Sequence, residues 1–165
     1  MNKRILYLLG FLVKGWEFSL LLVLPILKLQ GKITVFDLGI LAASFSVFQM
    51  ITALFSGHLA EKFGSKKIIM SGIFFFGLAW LLLSLPVSFP SVLAVCILGG
   101  FGTGSFIPLA NSAIAKMSEK NRAKEMGDFS AFSDVGRIVL IGATTFLIEK
   151  INLSFTSAIF AGIAF

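Results

Sequence analysis

The chain has 165 residues, of which 57% are hydrophobic and 13% charged, and its mean hydropathy is +0.97. Soluble domains carry about 25% charged residues, and a water-soluble fold of this length cannot hide so much apolar surface. The formal charge of +6 does not point to nucleic acid, because the basic residues sit in short clusters between apolar runs rather than on one aromatic-interleaved face.

A membrane span needs about 20 mostly apolar residues. The first candidate covers residues 5–27. Its start, MNKRILYLLGFLVKG, resembles a signal peptide, but no A-x-A site follows and the apolar run resumes after Lys14 and Glu17, so a retained span is expected. The second covers residues 38–59 and carries Ser46, Gln49, Thr52 and Ser56 on one arc of about 120°. These groups either line a path or bond neighbouring helices.

The third span, 68–87, is followed by the uncharged turn SFPS. The fourth, 91–115, holds Gly99, Gly100, Gly102 and Gly104, and the G-x-x-x-G spacing of Gly100 and Gly104 favours close helix packing over ligand contact. Pro108 is expected to kink it, and the single Cys96 inside it leaves no disulfide framework. The charged segment KMSEKNRAKEMGD reads as a loop with a helical turn, ahead of a fifth span at 129–148. A sixth starts near Ile151 and reaches Phe165, about 22 Å of helix against a core of about 30 Å, so an incomplete last helix is expected. Strands fit poorly, because the runs are long and lack alternation. The fold class is therefore all-α: one polytopic domain, residues 1–165, in a lipid bilayer.

Orientation follows from the basic residues. With the N-terminus in the cytoplasm, the inner segments hold nine: Lys3, Arg4, Lys62, Lys66, Lys67, Lys116, Lys120, Arg122 and Lys124. The outer segments hold three, Lys28, Lys32 and Lys150. That bias is the positive-inside rule and places the N-terminus in the cytoplasm; an integral protein of the plasma (inner) membrane is expected.

Ionisable residues inside spans are functional candidates, because burying them is costly unless they are paired or wet. Lys14 and Glu17 are three residues apart in span one, and Asp134 and Arg137 three apart in span five. Each pair shares a helical face. One reading makes each a local salt bridge that lowers its own burial cost. The other turns them toward a water-filled cavity, where Arg137 or Lys14 binds an anionic solute group and Glu17 or Asp134 takes up a proton. His58, the only histidine, reads as a solvated loop residue, and without a second His or a Cys cluster no metal site is expected. No P-loop is present and no cofactor is called for. Asn152-Leu153-Ser154 matches a glycosylation sequon, by chance at a membrane edge.

The stretch GHLAEKFGSKK, between spans two and three, supplies Gly57, Leu59, Ala60, Glu61, Lys62, Phe63, Gly64, Lys66 and Lys67 in the order G-x-L-A-D-R-F-G-R-R-R. It resembles the signature cytoplasmic loop of the major facilitator superfamily, with Glu61 for the usual Asp and Ser65 for a usual basic residue. Pro25 ahead of Asp37-Leu38-Gly39, and NRAKEMG ahead of a fifth span containing Gly136, are also similar to the family. The resemblance implies the N-terminal six-helix half of a secondary active transporter that works by alternating access on a small-molecule solute; the acids and bases inside the spans suggest proton coupling and an organic anion or zwitterion. It implies that Glu61 meets the other half and helps hold the outward-facing state, so the expected partner is a C-terminal half or a second copy. Leu98 stands where the family's drug/proton antiporters carry arginine, and no proline lies near Gly136 or Gly142, which argues against a drug antiporter. The alternative is an accessory membrane protein with no transport of its own. Gly57 and Gly64 are expected to allow close backbone approach.

Overall fold

The computed structural model describes residues 3–117 and 121–164. They form six helices and, among the described residues, no strand. The helices are α1 (Lys3–Leu29), α2 (Val35–Phe63), α3 (Ser65–Leu83), α4 (Phe89–Met117), α5 (Arg122–Lys150) and α6 (Leu153–Ala164). The first five are long and apolar enough to cross a bilayer. The result is an all-α half-bundle with α4 at its centre, in contact with α1, α2, α3 and α5. The heaviest contacts pair α2 with α4, α1 with α5 and α3 with α4, and α6 lies on α3.

Helix ends follow local chemistry rather than hydropathy. Asp37 carries a carboxylate that accepts from the Thr34 amide at 2.8 Å, while the Thr34 hydroxyl accepts from the Asp37 amide at 3.1 Å. This reciprocal cap starts α2 at Val35, ahead of its apolar run. At its other end α2 continues through His58 to Phe63, so most of GHLAEKFGSKK is helix rather than loop. Leu59, Ala60, Glu61 and Lys62 are strong helix formers, and the chain turns only at Gly64, whose φ of +90° disfavours any side chain. The turn after α3 also differs from SFPS. Pro86 halts the chain in Ser84–Ser88, and Phe89 and Pro90 already open α4. Ser88 and Ser91 bond each other's amides through their hydroxyls, at 2.9 and 3.4 Å.

α5 begins at Arg122, because Ala123, Lys124, Glu125 and Met126 favour helix; the charged segment is largely an extension of two helices. Ser118, Glu119 and Lys120 lie outside the described residues, as does Phe165. Asn152, of the sequon, accepts from the Phe155 amide at 2.9 Å and caps α6, which therefore begins at Leu153.

Glycine seams let three helix pairs meet at backbone distance. A Cβ on Gly100 would lie 2.5 Å from the Phe45 carbonyl oxygen, and one on Gly104 would overlap that of Gln49. Gly72 and Gly102 face each other, an added Cβ on either falling 2.8 Å from the other's carbonyl. On the α1–α5 side a Cβ on Gly136 would overlap the Phe11 backbone, and one on Gly15 would lie 2.7 Å from the Gly136 carbonyl. Around these seams are packed two apolar clusters. One is centred on Trp16, Phe45, Phe76 and Trp80, the other on Leu6, Ile69, Phe106 and Ile114. Large apolar side chains remain exposed on α2 and α5, among them Leu54 and Ile138.

Candidate functional site

Lys14 and Glu17 sit about 16 Å and about 21 Å along α1 from Lys3, at a rise of 1.5 Å per residue, near the middle of a helix about 40 Å long. The Lys14 ammonium lies 3.7 Å from the Glu17 carboxylate. The two differ in exposure: the Lys14 side chain is 31% exposed, that of Glu17 8%. The acid is thus inside the bundle and the base stands in front of it.

Gln49 reaches this acid from α2. Its amide donates to Glu17 Oε1 at 2.8 Å. The reach is fixed by the α2–α4 seam, because a Cβ on Gly100 would lie 3.0 Å from the Gln49 backbone nitrogen, and Gly104 abuts the Gln49 backbone carbonyl. Glu17 Oε2 is buried and accepts no hydrogen bond among the described residues. A buried carboxylate with one satisfied oxygen is an unsettled charge, and Lys14 is the group nearest to settling it.

Asp134 and Arg137 pair at 3.6 Å on α5, at 43% and 37% exposure. Arg137 lies over the Phe18 ring, its guanidinium 4.7 Å from the centroid, and the Lys14 ammonium lies 5.9 Å from the same centroid. Arg137 is also close enough to attract the Glu17 carboxylate. The structure therefore brings Lys14, Glu17, Gln49 and Arg137 into one neighbourhood around Phe18, with Asp134 at its outer edge. Gly15 and Gly136, next in sequence to Lys14 and Arg137, hold α1 and α5 at the spacing this requires.

The arc of α2 divides. The hydroxyls of Ser46, Thr52 and Ser56 bond carbonyls of their own helix, at Ala42, Phe48 and Ala53. Gln49 is the member that crosses to another helix. Ser46 and Gln49 also line a cavity of about 290 Å³ with Thr103, Gly104 and Pro108. A second cavity, of about 130 Å³, is lined by Lys14, Asn111, Ser130 and Ser133 together with Phe106, Ile107 and Phe129.

The residues of the signature stretch lie elsewhere. Gly57, Glu61, Lys62, Gly64, Lys66 and Lys67 are exposed, and Leu59 is half-buried. A Cβ on Gly57 or Gly64 would meet nothing within 4 Å, so close approach inside this half-bundle is not their role; Gly64 serves its positive φ. Glu61 makes no ion pair among the described residues. It lines a cavity of about 220 Å³ with Gly57, Ala60, Ser65, Ser112 and Lys116.

Two features escaped the sequence reading. Lys3 and Tyr7 of α1 both meet Glu125 of α5, the first by an ion pair and the second by a hydrogen bond of 3.0 Å, beside a cavity of about 530 Å³ that Arg4 and Asp128 also line. The signal for it was the coincidence of charge at both helix starts. The second is the α1–α5 seam of Gly10, Gly15 and Gly136, whose members do not share the four-residue spacing that marks Gly100 and Gly104.

Comparison with known proteins agrees with this architecture. The family model described as Major Facilitator Superfamily matches residues 6–165. The Quinolone resistance protein NorA of Staphylococcus aureus is 34% identical over 153 residues, covering 90% of this chain and 39% of the relative. Multidrug resistance protein 2 of Bacillus subtilis is 32% identical over 125 residues, covering 75% of this chain and 30% of the relative. The chain therefore spans well under half the length of these relatives.

Proposed function

The chain belongs to the major facilitator superfamily, and on that premise we propose that it supplies one six-helix wall of a proton-coupled, alternating-access transporter for small organic solutes. An integral membrane location and membrane transport go with the family; the coupling, the solute and the residues below are our reading. The two relatives are named for quinolone and multidrug resistance, and a small organic solute is the class their names share. Leu98, in place of a family arginine, keeps us from narrowing that class to drugs.

One observation carries the coupling: a mid-helix carboxylate, 8% exposed, with one oxygen on Gln49 and the other without a hydrogen bond among the described residues, 3.7 Å from the Lys14 ammonium. Such a group is held where protonation changes the local charge by one unit in a medium of low dielectric. We assign Glu17 as the proton acceptor, Gln49 as the residue that positions it, and Lys14 and Arg137 as the cations whose company it keeps when ionised. Asp134 serves Arg137.

The exposed apolar faces of α2 and α5 favour a second wall closing over this one, either a C-terminal half or a second copy. Glu61 is the acid we expect that wall to meet at the cytoplasmic edge, with the N-terminus on the same side. Inside-out membrane vesicles from cells expressing the native locus test the reading. With a pH gradient imposed, wild-type vesicles should exchange protons when solute is added, and Glu17→Gln vesicles should not. Unchanged solute-linked proton movement in Glu17→Gln would exclude Glu17 as the coupling acid.

A further inference from the structure

A cavity of about 130 Å³ beside Lys14 suits a negative charge. Lys14, which carries an ammonium, lines it, with Asn111, Ser130 and Ser133 as further polar residues and Phe106 and Phe129 as apolar wall. Yet while Glu17 is ionised, that ammonium already has a counter-ion 3.7 Å away.

We infer that Lys14 and its cavity form an anion subsite, open to the carboxylate of a small organic acid or zwitterion only when Glu17 is protonated. The inference rests on the transport reading above and adds the solute's charge to it. The charges around Glu17 are Lys14 on its own helix and Arg137 on α5, itself paired with Asp134; α2 presents the neutral Gln49. With Glu17 ionised, two acids balance two bases and the neighbourhood is neutral. A proton taken from the open aqueous side turns the Glu17 carboxylate into a carboxylic acid and leaves one unbalanced positive charge. Lys14 keeps its proton throughout, and only its counter-ion changes, from Glu17 to the solute. One proton and one solute negative charge then cross together, and no net charge moves with them.

The relative exposures fit this order, because Lys14 is half-exposed and lines the cavity, whereas Glu17 is buried and forms no part of its wall. A cationic solute would instead meet Lys14 first and be repelled. The cavity, about 130 Å³, is smaller than an apolar site of about 150 Å³ that accepts benzene, so it suits the carboxylate end of a solute whose ring stays partly outside.

The test is equilibrium binding of labelled benzoate, with benzylamine and benzyl alcohol as charge-altered competitors, to the detergent-purified protein from the native locus. Benzoate should bind, and its affinity should rise about tenfold per unit fall in pH wherever Glu17 is ionised in the empty site, because one proton is taken up with each anion. Glu17→Gln should bind benzoate at high pH at least about tenfold more tightly than wild type, and without pH dependence. Lys14→Gln should lose benzoate, and Lys14→Arg should restore it with an unchanged gel-filtration profile. Preference for benzylamine, no benzoate binding to folded protein, or full benzoate binding by Lys14→Gln would overturn the inference. If benzoate fails to bind while Glu17→Gln still abolishes solute-linked proton movement, the subsite falls and the coupling assignment stands. If benzoate binds as described but Glu17→Gln leaves proton movement intact, the coupling assignment falls and the subsite stands.

Discussion

Lys14–Glu17 and Asp134–Arg137 look alike in the sequence: one acid, one base, three residues apart, inside an apolar run. In the structure they differ by environment. Glu17 is buried behind Lys14 and held from α2 by Gln49, while Asp134 is 43% exposed at the edge of α5. The local spacing is common to both and cannot separate them. What separates them is which helix packs across the pair, and that is decided by glycines some distance away. Gly100 and Gly104 bring the α2 backbone, and with it Gln49, against α4, which itself packs against α1. A charge pair becomes a candidate site here through the seam beside it.

Substitutions at the seams should have the largest effect on that contrast. Gly136→Leu drives a branched side chain into the Phe11 backbone, and the protein should lose its folded gel-filtration peak in detergent. A Cβ on Gly142 of the same helix, an exposed position, meets nothing within 4 Å, so Gly142→Leu should leave the peak in place. Equal damage at both positions would mean that glycine in α5 serves flexibility rather than packing.

Gln49→Leu comes next. It leaves Glu17 with neither oxygen hydrogen-bonded, a loss of about 1–3 kcal/mol that should appear as a lower melting temperature in micelles. Adding Glu17→Gln should return part of it, since the buried charge is then gone. A Gln49→Leu protein as stable as wild type would place Glu17 in water and erase the difference between the two pairs.

A smaller effect is expected at the turn. Gly64→Ala forces a side chain into a φ of +90° and should cost about 1–2 kcal/mol, whereas Gly57→Ala, mid-helix and open, should be neutral or slightly stabilising. The smallest effect is at the exposed pair. Asp134→Asn removes a solvent-accessible partner of Arg137 and should change stability by less than about 1 kcal/mol.

Much of the fold was legible before the structure. Apolar runs of about twenty residues gave the all-α class and the order of the helices, because lipid leaves the backbone little choice. Helix ends were less legible, since Thr34 with Asp37, Ser88 with Ser91, and Asn152 set them by capping, which hydropathy does not sense. The stretch from Ala60 to Phe63, past the expected span of 38–59, and His58 read as loop for the same reason: polar residues such as Glu61 and Lys62 propagate a helix as well as apolar ones do. At the candidate site, the charged residues were visible one helix at a time. The bond between Glu17 and Gln49 joins positions 32 residues apart, a separation with no sequence signature, and the Lys3–Glu125 pair joins the starts of α1 and α5, where charge at both helix starts was the one signal. Gly57 and Gly64 show the opposite case, a clear motif whose close contacts are not found within this half-bundle.

The central claim is that Glu17, and not Asp134, is the acid that carries the proton. Infrared titration of the reconstituted protein reads it directly, through the stretching band of a protonated carboxyl group that is slow to exchange with deuterated water. That band should grow as pH falls in wild type, persist in Asp134→Asn and vanish in Glu17→Gln. A band that vanishes in Asp134→Asn and survives in Glu17→Gln would contradict the account.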